Sequence, residues 1–157
     1  MAFYTDGSAH PNPGPGGWGI VFEMDNIVLQ TQSKQYEGPV TNNQMELEAV
    51  LHIMKHYSGK PFEEAKEYAD LKVPTVYCDS SYVVNTFNDW MFRWANNDWK
   101  NSSNKTPENL DLIKEYYNLY QQGYRIDLRK VAGHAGNEFN ELADRLATGK
   151  EKGDIVW

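Results

Sequence analysis

A chain of 157 residues with 40% apolar side chains is long enough for one domain with a sizeable core and too short to make two the natural reading. Aromatic residues reach 13% against 24% charged, which excludes wholesale disorder, and a formal charge of -7 excludes a protein that holds a polyanion through a general basic surface. The lone Cys78 excludes an internal disulfide and reads as a buried, inert thiol. No run approaches the roughly 18 apolar residues of a membrane span, and residues 1–6 lack the pattern of a signal peptide, so the cytoplasm is the expected compartment.

Residues 2–5 predict a short strand ended by Asp6-Gly7-Ser8, and the Pro- and Gly-rich residues 10–17 (HPNPGPGG) predict a loop. Residues 18–24 and 27–36 flank Asp25-Asn26, a two-residue connection suited to a hairpin. The first three strands therefore form an antiparallel meander. A helix is predicted from about Asn43, where Thr41 and Gln44 fit a capping box and Leu47, Val50, Leu51 and Met54 share one face; it ends by residues 58–61 (SGKP).

Residues 75–78 (TVYC) predict a strand stopping at Asp79. Val83, Phe87, Trp90 and Trp94 then mark one stripe of a helical region, followed by a Trp- and Asn-rich segment to Lys105. Pro107 is placed to open a helix through Gln121, Gly123 to close it, residues 126–131 (IDLRKV) to form a last strand, and residues 138–147 a last helix before Gly149. Three hairpin-linked strands followed by alternating helices and strands predict an α/β domain around one mixed sheet. Residues 1–149 read as this single domain and residues 150–157 as a C-terminal tail, whose apolar end suits docking on the body or on a partner.

Asp6 and Asp79 each follow a short apolar strand, so neighbouring strands would release both at the same edge. Glu46 lies in the first turn of the first long helix, and Asp144 in the last helix. Singly, each reads as a turn, cap or helix-dipole residue; brought together they would need cations, and hard oxygen donors without clustered His favour Mg²⁺ or Mn²⁺ over Zn²⁺.

The motifs around these acids narrow the reading. Tyr4-Thr5-Asp6-Gly7-Ser8, Asn12-Pro13-Gly14, residues 41–46 (TNNQME), Cys78-Asp79-Ser80, and Gly133-His134-Ala135-Gly136 with Asn140-Glu141 and Asp144 resemble, in order, the motifs of the ribonuclease H type 1 family. The resemblance covers nearly the whole chain. It implies a ribonuclease H-like fold, a five-stranded mixed sheet of three antiparallel then two parallel strands flanked by helices. It implies an endonuclease that hydrolyses the RNA strand of RNA/DNA hybrids to 5′-phosphate and 3′-hydroxyl products, with Asp6, Glu46, Asp79 and Asp144 binding two Mg²⁺ ions, Mn²⁺ being a possible substitute; a monomer is expected. His134, between glycines, corresponds to a loop histidine that assists proton transfer and product release.

For substrate the resemblance implies contacts to RNA 2′-hydroxyls from Gly7, Ser8, Asn12, Asn42, Gln44 and Glu46. It also implies a phosphate pocket at Thr41, Asn42 and, more weakly, Asn109, and an aromatic channel of Tyr82, Trp90 and Trp94. Trp90 and Trp94 also sit on the helical stripe, so core burial competes with contact, and Trp99, off the stripe, is the better contact candidate.

The sequence departs from the family pattern twice. Residues 90–106 carry three basic groups (Arg93, Lys100, Lys105) against Asp98, a net +2 where the family has a strongly basic protrusion; weaker hybrid binding with a shallower salt dependence is expected. Residues 59–74 lengthen the span between Glu46 and Asp79 and read as an exposed extension. Two other functions stay open on sequence alone: a DNA nuclease, integrase or transposase on a related fold, and a non-catalytic hybrid binder.

Overall fold

The computed structural model describes residues 2–58, 73–131 and 137–157. Among these residues six strands form one mixed sheet: β1 (Ala2–Ala9), β2 (Gly14–Met24), β3 (Ile27–Val40), β4 (Thr75–Cys78), β5 (Asp127–Lys130) and β6 (Ile155–Val156), in the order β5-β4-β1-β2-β3-β6. The antiparallel meander β1 to β3 and the parallel strands β4 and β5 are those expected; the sixth strand comes from the tail. The helices among the described residues are α1 (Asn42–His56), α2 (Ser81–Asn85), α3 (Met91–Ala95), α4 (Leu110–Gln121) and α5 (Glu138–Ala147), with a π-helical turn at Thr86–Trp90 joining α2 to α3.

β1 outlasts its expected end at Thr5. Its parallel partner stops at Thr5↔Cys78, but pairing with β2 continues from Asp6↔Gly19 to Ala9↔Gly16, so Asp6 lies within a strand. The same pairing converts the second half of the expected 10–17 loop into β2, because Gly14 and Gly16 find partners at Val40 and Tyr36 across a register shift. Asp25 and Asn26 close the β2–β3 hairpin with φ of 53° and 64°, two left-handed residues as the twist of a tight hairpin requires, without the usual glycine.

The apolar face of α1 supplies much of the main core, where Met45, Leu47, Val50, Leu51, Ile53 and Met54 are buried with Phe3, Ile20, Val76 and Cys78. Its start is fixed by Thr41, whose Oγ1 accepts a hydrogen bond from Gln44 N at 3.0 Å. In the next helical region the π turn inserts one extra residue per turn, so the buried stripe runs Val83, Phe87, Met91 rather than on to Trp90 and Trp94. Both tryptophans are consequently half-buried. Phe87 stacks on Tyr116 of α4 at 3.8 Å between ring centroids. α4 begins at Leu110 instead of at Pro107, since Asn109 adopts φ 57°, outside the right-handed helical region.

The tail folds back onto the body. β6 pairs parallel with β3 at Gln32 and Ser33, Asp154 and Thr31 exchange side-chain to backbone hydrogen bonds at 2.9 Å each, and Trp157 Nε1 donates to Gln32 Oε1 at 2.6 Å. The Trp157 ring lies edge-on to His52 at 4.6 Å and stacks on His56 at 5.5 Å. Each such bond contributes on the order of 1 kcal/mol net, partly offset by the entropy of ordering the segment. Removing residues 153–157 is therefore expected to lower the unfolding free energy by roughly 2 kcal/mol, read as a reduced urea midpoint with an otherwise intact far-UV CD spectrum.

Candidate active site

The parallel register that pairs Thr5 with Cys78 places the next residues of the two strands, Asp6 and Asp79, side by side where β4 ends. Two close approaches bring the other carboxylates to them. A Cβ on Gly7 would lie 2.3 Å from Glu46 N and 2.4 Å from the Met45 carbonyl carbon, so only glycine lets the first turn of α1 reach β1 and set Glu46 beside Asp6. A Cβ on Gly19, the residue paired with Asp6 on β2, would lie 2.4 Å from Leu146 Cβ and 2.6 Å from Ala143 O; α5 thus rests directly on β2 and carries Asp144 to the same point. Gly7→Ala is expected to push α1 off β1, costing about 1–3 kcal/mol and most of the activity, as measured by thermal melts alongside turnover.

The result is a cleft of about 680 Å³ lined by Asp6, Gly7, Ser8, Asn42, Glu46, Asp79, Asn140, Glu141, Asp144 and Arg145. Asp6 and Glu46 are buried, Asp79 half-buried and Asp144 exposed, a gradient running from the sheet to solvent. Burial, opposed in part by a hydrogen bond from Glu46, with the charge of Asp79 and a hydrogen bond to Asp144 adding to it, pushes the Asp6 carboxyl up to about 7. Burial and the neighbouring Asp6 raise Glu46 well above the usual carboxylate range. Gly7 N donates to Asp6 Oδ1 at 2.9 Å and holds that side chain in place.

Acids that retain protons near neutrality for want of a counter-charge form a site built to receive cations. Ligand atoms of Glu46, Cys78 and Asp79 lie within 4.8 Å of one another. Cys78 Sγ is 3.6 Å from Glu46 Oε2, and burial first, then the charge of Glu46, raises its pKa; the thiol stays protonated and donates to Glu46, which leaves hard carboxylate oxygens as the donors. That set fits Mg²⁺ or Mn²⁺.

The remaining predicted residues fall into distinct places. Asn42 Oδ1 accepts from Ala9 N at 2.6 Å and Asn12 Oδ1 from Asn42 N at 3.1 Å, so a backbone N–H fixes the oxygen of each carboxamide. Thr41 spends its hydroxyl oxygen on the cap of α1, and Gln44 stands half-buried in the turn it caps. Asn109 Nδ2 donates to the Tyr82 hydroxyl at 3.4 Å. Trp90 and Trp94 line a separate groove of about 540 Å³ with Arg93, Asn97, Lys100, Asn101 and Ser102, whereas Trp99 turns away from it, packing edge-on to Tyr117 with the Lys114 ammonium over its ring. His134 lies outside the described residues, as does most of the 59–74 extension. Arg145 lines the cleft and carried no signal in the sequence beyond its place next to Asp144.

An α/β sheet bearing four carboxylates from β1, α1, the end of β4 and α5 defines the class: an enzyme with a ribonuclease H-like fold and an acidic cation-receiving cleft. The chain belongs to the RNase H family, whose model matches residues 1–151. It is 39% identical over 152 residues to the Ribonuclease H of Thermoanaerobacter sp. (strain X514), covering 94% of this chain and 87% of that one. The Ribonuclease H of Caldanaerobacter subterraneus subsp. tengcongensis is 38% identical over 159 residues, with 99% and 93% covered. Among solved structures it is similar to LC9-RNase H1, described as a type 1 RNase H with the type 2 active-site motif, at 26% identity and TM-score 0.70 over 98% of this chain and 74% of that one. Among the described residues no helix is long and apolar enough to cross a membrane.

Proposed function

We propose that this chain, a ribonuclease H cleaving the RNA of RNA/DNA hybrids, performs the cut at the Asp6, Glu46, Asp79 and Asp144 cleft and leaves 5′-phosphate and 3′-hydroxyl ends. The observation that carries this reading is the convergence of four acids from four separate elements on one cleft, with the Asp6 carboxyl pushed up to about 7 by burial first and the charge of Asp79 adding to it. Asp6, Glu46, Asp79 and Asp144 would hold two Mg²⁺ ions, or Mn²⁺ in their place. When bound, such ions neutralise phosphate charge, lower the pKa of an attacking water and stabilise the departing 3′-oxygen.

The chain's own residues prepare the rest. Asp6, clamped by the Gly7 amide, and Glu46, oriented by the Cys78 thiol, form the rigid inner wall, while the more exposed Asp79 and Asp144 form the outer one. Gly7, Ser8, Asn42 and Glu46 line the cleft and, with Asn12 and Gln44 beside it, offer donors and acceptors to RNA 2′-hydroxyls, the group by which RNA is told from DNA. Trp90 and Trp94, with Tyr82, accept the DNA strand; Thr41, Asn42 and, more weakly, Asn109 would take a DNA phosphate, and Trp99, packed on Tyr117 of α4, supports the protrusion. His134 carries protons between water and the reacting phosphate and speeds release, acting from the segment between β5 and α5. The enzyme works as a monomer in the cytoplasm, with residues 1–149 as its catalytic domain and residues 150–157 as a tail whose β6 completes the domain's sheet.

The test is a panel of matched RNA/DNA, DNA/DNA and RNA/RNA duplexes with and without Mg²⁺. Cleavage restricted to the RNA of the hybrid, dependent on the cation, is the expected result; preferential DNA/DNA cleavage overturns the substrate, and activity untouched by chelation overturns the site.

A further inference from the structure

Among the described residues lining the acidic cleft, Arg145 is the single cation. It follows Asp144 on α5, and its Nε meets Glu151 Oε1 at 3.3 Å. Glu151 is held over it by a second bond, from its own backbone N to the Arg145 carbonyl at 3.1 Å. Both side chains are 46% exposed, and one nitrogen of the guanidinium makes the pair. Such an ion pair is weak and readily exchanged, and the planar fork of arginine matches a phosphodiester better than a single-point carboxylate contact.

The charge balance gives this arginine particular weight. The chain is at -7 overall, and residues 90–106 contribute only a net +2. Among the described residues lining the cleft, Asp6, Glu46, Asp79, Glu141 and Asp144 are acids, and Arg145 is the side chain that offers an incoming polyanion positive charge.

We infer that Arg145 is a substrate-positioning residue: it binds a phosphodiester of the RNA strand next to the one being cut, and Glu151 occupies the guanidinium until substrate displaces it. The inference rests on the proposed hybrid cleavage at this cleft. It separates two roles for the two arms of α5, with Asp144 at the reacting phosphate and Arg145 one phosphate away, and it makes Glu151 a competitor whose removal improves binding.

The experiment measures kcat and KM for a defined RNA/DNA hybrid with Mg²⁺ at several salt concentrations, with thermal melts in parallel. Arg145→Ala is expected to raise KM about tenfold with kcat changed much less, since hydrogen bonds to charged groups are strong, and to reduce the slope of log affinity against log salt by about 1. Arg145→Lys should restore most of the salt slope but only part of the KM, and Glu151→Gln should lower KM. If wild type cleaves the hybrid while Arg145→Ala keeps its KM and salt slope, the inference is overturned and the functional reading stands, whether or not the melting temperature falls. If wild type leaves the hybrid uncut, both are overturned.

Discussion

Asp79→Asn is expected to reduce hybrid cleavage by about three orders of magnitude or more while the fold and hybrid binding persist. The side chain stands at the end of β4, half-buried, and it is set beside Asp6 by the β1–β4 register, so the isosteric amide fits the same space. What it removes is a charged oxygen donor from a site whose inner members are protonated in part. Several kcal/mol of charge stabilisation at the reacting phosphate correspond to roughly 10³-fold or more in rate. Single-turnover cleavage with Mg²⁺, beside hybrid affinity measured by fluorescence anisotropy, separates loss of chemistry from loss of binding. Residual activity within tenfold of wild type would remove Asp79 from the proposed site.

Asp6→Asn is expected to do two opposite things: abolish cleavage, and stabilise the metal-free protein at neutral and alkaline pH. The sign follows from the direction of the shift. In the folded chain the Asp6 carboxyl is pushed up to about 7, above the ordinary value near 4 that it has when unfolded. Below pH 4 both states are protonated and the group contributes no difference. Between about 4 and 7 the unfolded chain releases the proton and the folded one keeps it, so stability falls as pH rises; above 7 the full penalty is in place, on the order of a few kcal/mol for this single group. Glu46 shifts in the same direction and deepens the effect.

Metal-free wild type should therefore melt at a lower temperature at pH 8 than at pH 5, Mg²⁺ should recover the loss by binding only the folded state, and Asp6→Asn should flatten the dependence. A wild-type melting temperature in chelator that rises from pH 5 to 8, with Asp6→Asn no more stable at pH 8, would show that the four acids do not crowd as described. The cleft is a place where stability is given up for function, and the cations reverse that loss when they bind.

Much of this was legible in the chain itself. The capping box at Thr41 and the period of Leu47, Val50, Leu51 and Met54 define α1 locally, and the hairpin at Asp25-Asn26, the short apolar β4 and the last helix are set by neighbours a few residues apart. The ordered motifs around Asp6, Glu46, Asp79 and Asp144 named the site and the family together, because each carboxylate is embedded in residues that serve its own turn or cap.

Whatever depended on partners distant in sequence was legible only in the assembled structure. β1 and β2 run longer than their composition suggests because a glycine-rich segment becomes a strand once both its edges are paired, as at Gly16. The π turn at Thr86–Trp90 moved Met91 into the core in place of Trp90, a shift of one residue that side-chain spacing cannot reveal. The tail became the sixth strand because Gln32, Ser33 and the His52–His56 face of α1 stand ready for Trp157. The motifs of the sequence determined that this is a ribonuclease H; tertiary packing at Gly7 and Gly19 decided how close four acids come, and hence how strongly the cleft calls for cations.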